Sequence, residues 1–179
     1  MELVASAAPA TAYTQFEQTN SPVLELDVEQ QYQKERNKPM PSKNHSRIQR
    51  RLVRMFDNAY GEEFDVFPEF ELELLGKKTV PYVSIFPFAP SDWENDELRS
   101  KVAPILAIEI LSPKQASGIL SKKIRTNYFK AGVKSAWIVF PDLKNITVLH
   151  PDGAIQTYYR GILKDEAAGF EIDVDEVFK

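Results

Sequence analysis

The chain has 179 residues, of which 43% are hydrophobic and 27% charged, and its formal net charge is −4. This length and apolar content predict one domain with a hydrophobic core, and the acidic balance excludes a protein that coats nucleic acid through its overall charge. Cysteine is absent, which excludes disulfides, thiolate nucleophiles and cysteine zinc sites. The two histidines, His45 and His150, are too few for a multi-histidine metal centre.

The N-terminal part of the sequence predicts a tail rather than a membrane or secretion element. No apolar run approaches the ~20 residues that span a bilayer. The first residues lack the basic region and apolar segment of a secretion signal, so we expect a cytoplasmic protein without membrane contact. Residues 1–20 are rich in alanine, threonine, serine and proline and predict a flexible tail, followed by a single domain over residues 21–179.

Two helices are predicted before the first strand. Residues 23–36 form a short candidate helix that the following prolines end. Residues 46–60 have clear helical spacing, with Ser42 or Asn44 as the cap and Gly61 as the end. The side of this helix away from its apolar stripe is basic. It is either a solvated surface or a set of phosphate contacts for DNA, formed by Lys43, Arg47, Arg50 and Arg54.

Residues 64–75 alternate between apolar and acidic side chains, which predicts a half-exposed strand. The turn Gly76-Lys77-Lys78 and a second strand over 79–86 complete a predicted hairpin. Alternating glutamates on such a strand usually form a solvated face, here Glu69, Glu71 and Glu73. A long polar loop over 87–101 follows, in which Trp93 either stacks on a base or anchors the loop.

A strand–helix–strand unit lies between Pro104 and Asp142. Residues 105–111, ILAIEIL, predict a buried central strand, residues 117–131 a helix ended by Gly132, and residues 136–140 another buried strand. Residues 146–150 and 154–158 predict a C-terminal hairpin, and EIDVDEVFK a closing strand or helical turn. This order predicts an α/β (α+β) mixed sheet with flanking helices and a right-handed crossover at its centre.

Glu109 is a carboxylate inside the apolar strand ILAIEIL. A buried carboxylate is normally paired, bound to a metal or protonated, so Glu109 is either a partnered structural residue or part of a functional site. On the following helix, Lys123 lies about 85° from the centre of the apolar stripe and Lys122 about 175° away. Lys123 therefore either extends along the surface to solvent or brings its ammonium to Glu109.

The runs PILAIEILSPKQ and SKKIRTNYFKAGVKSAWIVFPD resemble the Uma-type family of predicted restriction endonucleases, in the PD-(D/E)XK nuclease superfamily. The resemblance extends upstream through NHSRIQRRL and FPEFELELLGKKTVP and downstream to GFEIDVDEVF. It implies a restriction-endonuclease-like fold and hydrolysis of phosphodiester bonds in DNA. Glu109 would bind Mg²⁺ or Mn²⁺ and Glu69 would add an oxygen. Leu111 occupies the usual lysine position, so the catalytic lysine would be Lys123 from the helix.

One position departs from the family pattern. The aspartate of its proline–aspartate pair is replaced here by Tyr82, and a neutral tyrosine is a poor ligand for Mg²⁺. Either Glu69, Glu71 or Asp92 supplies the missing carboxylate, or the site no longer cuts. Two hypotheses follow: a metal-dependent nuclease, and a catalytically inactive relative that binds nucleic acid or serves in assembly.

A homodimer is also expected, because the C-terminal region has more aromatic residues than one hairpin needs, namely Tyr158, Tyr159, Phe170 and Phe178. The sequence leaves the choice between DNA and RNA open.

Overall fold

The structure is a computed structural model that describes residues 28, 30–34, 39–94, 96–113 and 115–179. In chain order its main elements are α1 (Lys43–Tyr60), β1 (Phe64–Pro68), β2 (Leu72–Leu74), β3 (Lys77–Thr79), β4 (Val83–Pro87), β5 (Leu106–Ile110), α2 (Ser117–Lys123), β6 (Ser135–Phe140), β7 (Asn145–Leu149), β8 (Ile155–Tyr158), β9 (Ile162–Asp165), β10 (Phe170–Asp173) and α3 (Val174–Phe178). The predicted tail over residues 1–20 lies outside the described residues. Of the predicted helix over residues 23–36, the described residues 28 and 30–34 are helical.

A mixed sheet forms the centre of the fold. Over the described residues it has six strands in the order β1-β4-β5-β6-β7-β8, and two separate strand pairs, β2–β3 and β9–β10, flank it. β5 and β6 are parallel, whereas the other neighbours in the sheet are antiparallel. The predicted strand–helix–strand crossover is therefore confirmed, and so is the mixed α+β architecture. None of the helices in the described part of the chain is long and apolar enough to cross a membrane.

Helix α1 covers one face of the sheet. Ser42 caps it by accepting a hydrogen bond from the backbone N–H of His45, and Gly61 ends it, as predicted. Its apolar stripe is buried at Ile48, Leu52 and Phe56, which pack in one core cluster with strand residues of β5 and β6. Arg47, Arg50 and Arg54 are exposed on the side of the helix away from the sheet's core, whereas Arg51 is partly buried and donates to the backbone carbonyl of Val177.

The opposite face is covered by the segment between β5 and β6. α2 continues into a π-helical turn over Ile124–Tyr128 and a 3₁₀ turn over Phe129–Ala131. Leu120, Ile124 and Tyr128 pack against β5 and β6 in a second core cluster. The segment stops at Gly132, whose φ of 99° is left-handed and favours glycine. The predicted helix over 117–131 is therefore present, but it is not a regular α-helix.

The predicted strand over 64–75 is wrong as one element. Glu69 has a φ of 51°, a left-handed conformation that interrupts the extended chain, so β1 and β2 are separate strands. β1 pairs with β4, whereas β2 pairs with β3. The turn between β2 and β3 is Leu75-Gly76 rather than Gly76–Lys78, and both turn residues have positive φ, as in a type I′ turn.

The C-terminal region contains more strands and helix than the sequence predicted. β7 and β8 form the predicted hairpin, and the terminal segment contains both a strand, β10, and a helix, α3. Buried Asp165 of β9, a strand that the sequence analysis did not predict, accepts hydrogen bonds from Trp137 Nε1 (2.7 Å) and His150 Nε2 (3.0 Å). Phe170 is buried, and Tyr158 and Phe178 pack against the core, so the homodimer stays a prediction supported by exposed Tyr159 alone.

Candidate active site

Glu109 lies on β5, on the sheet face covered by α2, and is 2% exposed. Lys123 is the last residue of α2, and its Nζ lies 2.8 Å from Glu109 Oε1. The lysine side chain remains 22% exposed, whereas the carboxylate side chain is enclosed. Of the two arrangements that the sequence left open for Lys123, the structure contains the ion pair.

Tyr128 is a member of this centre that the sequence analysis missed. Its hydroxyl donates a short hydrogen bond to the same Oε1 of Glu109 and lies 3.2 Å from Thr79 Oγ1. Burial, and then the charge of Glu109, raises the pKa of Tyr128 well above its ordinary value, so the hydroxyl keeps its proton. The sequence signal was present, because Tyr128 belongs to the helix stripe that faces the strand carrying Glu109.

Tyr82 immediately precedes β4 and is 2% exposed. Burial raises the pKa of its hydroxyl far above the ordinary value, and the charges of Glu109 and Glu69 raise it further. Tyr82 is therefore neutral at physiological pH. Its backbone carbonyl accepts hydrogen bonds from Gln49 Nε2 at 2.9 Å and from the backbone N–H of Glu69 at 3.2 Å, which holds Glu69 beside it.

The start of α1 fixes the strand ends at this centre. His45 is buried and donates from Nε2 to the backbone carbonyl of Ile110, the residue after Glu109, at 3.2 Å. Its ring lies 5.5 Å from that of Tyr82. His45 and Gln49 are four residues apart and so share one helix face, from which they bind the backbone of β5 and of the segment before β4. The sequence places His45 beside the helix cap, where it contacts Ser42, and gives no sign that either residue belongs to this centre.

The acidic residues that the sequence suggested as metal ligands divide into two groups according to their partners. Glu71 and Glu73 both pair with Arg99, at 3.3 and 3.7 Å, and Asp92 accepts a local hydrogen bond from the backbone of Glu94. Glu109 and Glu69 are instead both close enough to Tyr82 to affect its pKa. Among the described residues, no three acidic or histidine side chains converge as a ready-made metal site.

A divalent cation has a limited set of ligands here. Mg²⁺ is commonly held by one or two carboxylates together with water and substrate phosphates, and Glu109 and Glu69 match that minimum. Oε1 of Glu109 already accepts bonds from Lys123 and Tyr128. The residues therefore fit a cation that is bound together with a phosphate substrate better than a cation held by the protein alone.

A groove lies along α1 and reaches Glu69. Its volume is about 670 Å³, and its lining includes Gln49, Arg50, Arg54, Pro68 and Glu69. Of the predicted phosphate contacts, Arg50 and Arg54 are placed in the groove beside Glu69, whereas Lys43 and Arg47 are exposed earlier on the helix. The groove thus joins the arginine face of α1 to one of the candidate acids.

Comparison with known proteins identifies the family and the fold. A family model, Uma2, described as “Putative restriction endonuclease”, matches residues 11–171. The chain belongs to the Uma2 family. Among the solved structures that match, a “putative nuclease belonging to DUF820” from Anabaena variabilis ATCC 29413 is 24% identical with a TM-score of 0.69. The match covers 79% of this chain and 83% of that one, and it shows a shared fold. None of the curated proteins matches the sequence.

The Uma2 assignment confirms the resemblance seen in the sequence and the restriction-endonuclease-like fold that it implied. In this Uma2 chain Glu109 and Lys123 are in contact, and Tyr82, where the sequence resemblance predicted an aspartate, is a buried, neutral tyrosine. Trp93 is 91% exposed, so of its two proposed roles anchoring the loop is wrong.

Proposed function

We propose that this Uma2 chain is a metal-dependent nuclease that hydrolyses phosphodiester bonds in DNA, with Glu109 and Lys123 as its catalytic pair. The observation that carries the proposal is the 2.8 Å contact between Lys123 Nζ and Glu109 Oε1. The two residues come from different elements, β5 and α2, and meet on the sheet face that α2 covers, opposite α1. A buried carboxylate paired with a partly exposed lysine is an arrangement suited to phosphate chemistry.

Each side chain has a distinct task in this reaction. The Lys123 ammonium stabilises the negative charge that develops on the scissile phosphate, and Glu109 holds that ammonium in place. Mg²⁺ or Mn²⁺, held by Glu109 and Glu69 when substrate is present, would supply a polarised phosphate and a more acidic water. Tyr82 remains protonated and acts as a neutral wall beside both acids.

The groove along α1 provides the route for the nucleic acid backbone. Arg50 and Arg54 line it beside Glu69, and Lys43 and Arg47 extend the basic surface toward the start of the helix. A local basic strip on a chain of net charge −4 favours binding in one place and orientation. The link between this groove and the pair is Glu69, which lines the groove and, like Glu109, raises the pKa of Tyr82.

A second candidate function is favoured by Tyr82. The resemblance assigns the family's aspartate to the position of this neutral hydroxyl, and two donors already satisfy Oε1 of Glu109. Under this alternative, the chain binds nucleic acid through its groove or serves in assembly, and it does not hydrolyse phosphodiesters.

The two functions separate in one experiment. Supercoiled plasmid, linear duplex and single-stranded RNA are incubated with the protein and Mg²⁺ or Mn²⁺, and cleavage rates are measured. We expect Glu109→Gln and Lys123→Met to lower the rate by about 100-fold or more. Lys123→Met removes the cation that stabilises the developing negative charge, and Glu109→Gln removes the carboxylate that holds that cation in place. Lys122→Met, one residue away on the exposed side, is the matched control and keeps the rate.

Calorimetry with Mg²⁺ completes the test. The nuclease proposal expects weak cation binding by the protein alone and tighter binding once a non-cleavable duplex is present. Cleavage that persists in Glu109→Gln would reject the proposed catalytic pair. Duplex binding by the wild-type protein with no cleavage under any condition would establish the inactive alternative instead.

A further inference from the structure

The contact of Lys123 and Tyr128 with one carboxylate oxygen is unexpected from their spacing. They are five residues apart, yet both donate to Oε1 of Glu109. In a regular α-helix of 3.6 residues per turn, residues five apart point about 140° away from each other. The segment Ile124–Tyr128 is instead a π-helical turn, in which hydrogen bonds join residues five apart. The wider turn is what brings both side chains to the same side.

Tyr128 joins three parts of the structure at this point. It is fully buried, its hydroxyl donates to Glu109 on β5, and Thr79 at the end of β3 lies 3.2 Å from that hydroxyl. Because the tyrosine proton is directed to the carboxylate, Thr79 is the donor to the tyrosine oxygen. The ring also lies beside the lysine, with Lys123 Nζ 5.5 Å from its centre.

We propose that Tyr128 is a positioning residue of the Glu109–Lys123 pair, and that the π turn Ile124–Tyr128 sets the register in which it acts. Tyr128 fixes the orientation of the Glu109 carboxylate, and the fixed carboxylate in turn fixes the Lys123 ammonium. The catalytic consequence rests on the proposed nuclease function, whereas the geometric consequence does not.

The first test uses Tyr128→Phe, which keeps the buried ring and removes the hydroxyl. If the wild-type protein cleaves, we expect kcat to fall about 10- to 100-fold with KM little changed, because a small misplacement of a catalytic group costs rate rather than substrate binding. The matched control is Tyr60→Phe, which removes a hydroxyl that donates to the backbone carbonyl of Glu171 at 3.1 Å, outside this centre. An unchanged kcat in Tyr128→Phe would overturn the catalytic part of the proposal.

The second measurement does not depend on activity. The lysine ammonium groups are labelled with ¹⁵N and observed by NMR, and the Lys123 signal is identified by its loss in Lys123→Met. A hydrogen-bonded ammonium exchanges its protons slowly, so we expect a protected Lys123 signal in the wild type and in Tyr60→Phe. In Tyr128→Phe we expect at least tenfold faster exchange. Equal protection in Tyr128→Phe would overturn the positioning role, whether or not the protein cleaves nucleic acid.

The register of the π turn is tested by changing its length. Deleting exposed Arg125 leaves Lys123 and the tyrosine four residues apart, a spacing that a regular α-helix keeps on one face, so the Lys123 signal should survive. Inserting one alanine after Arg125 makes the spacing six and should abolish it. Arg125→Ala is the control that removes the side chain and keeps the length. A folded deletion variant that loses the signal as fully as the insertion would show that the turn does not set this register.

Discussion

The hydroxyl of Tyr82 sits among negative charges that it does not neutralise. Burial comes first among the causes of its raised pKa, followed by the carboxylate of Glu109, with Glu69 contributing less. The proton therefore stays on the oxygen throughout the physiological range, and the side chain adds no charge to the centre. A carboxylate at the same place would add a third acid beside Glu109 and Glu69.

Tyr82→Asp is expected to turn this centre into a better cation site. Without metal, the loss of the buried ring, together with a new charge in an already acidic place, should lower the free energy of unfolding by about 3–5 kcal/mol. Added Mg²⁺ should restore stability by about 2.7 kcal/mol at 100 times its Kd, since it binds the folded state. Thermal melting with and without Mg²⁺ measures both effects. Tyr82→Phe is the control, and an equal Mg²⁺ response in both variants would show that position 82 is not near the cation.

At the scale of residues, the sequence singled out both members of the acid–lysine pair, left their contact open, and missed what surrounds it. Glu109 was conspicuous as a charge in an apolar run, and helical phase separated Lys123 from Lys122. Tyr128 escaped because a hydropathy pattern counts its ring as apolar and does not register its hydroxyl. A uniform 100° rotation per residue also hides a π turn, whose extra residue has no compositional signature.

At the scale of elements, the strand boundaries that the sequence predicted wrongly are those set by a single residue with an unusual backbone angle. Glu69 and Leu75 have φ of 51° and 50° without being glycine, so the alternation of residues 64–75 continues across a real break. The central crossover was predictable, because its strands are short apolar runs and its helical segment ends at Gly132. Strand pairing was less predictable, since β1 pairs with β4 whereas β2 pairs with β3.

Helix α1 carries a prediction about nucleic acid. Arg50 and Arg54 line the groove and Lys43 and Arg47 do not, so the double variant R50A/R54A should weaken duplex binding more than K43A/R47A. Each lost phosphate contact should make the slope of log K against log salt less negative by about 0.9. Fluorescence anisotropy of a labelled duplex over a salt series measures both. Equal losses in the two double variants would assign binding to the whole helix face, and no loss in either would make that face merely solvated.

At the scale of the whole molecule, the sheet is protected unevenly. β5 and β6 are central and are covered by helical segments on both faces, whereas β8 is a terminal strand of the sheet whose residues are largely exposed. We expect amide hydrogen exchange to be slowest in β5 and β6 and fast in β8 and in the β2–β3 pair.

The same exchange measurement bears on the predicted homodimer. Protection of β8 comparable to that of β5 would contradict the expected order. If that protection fell on dilution, a second copy of the chain would be covering this edge, as an unpaired strand edge permits. Protection independent of concentration would mean that the rest of the chain covers it.

The placement of the two tryptophans gives the protein a built-in pair of optical reporters. Trp137 is fully buried with its indole N–H bonded to Asp165, and Trp93 is 91% exposed in the long loop. Their emission should therefore separate into a component shielded from iodide and a red-shifted component that iodide quenches. In a Trp93→Phe variant the fluorescence follows the unfolding of the central sheet alone. The difference from the wild type isolates the loop, so that ligand-induced changes there are read without any attached dye.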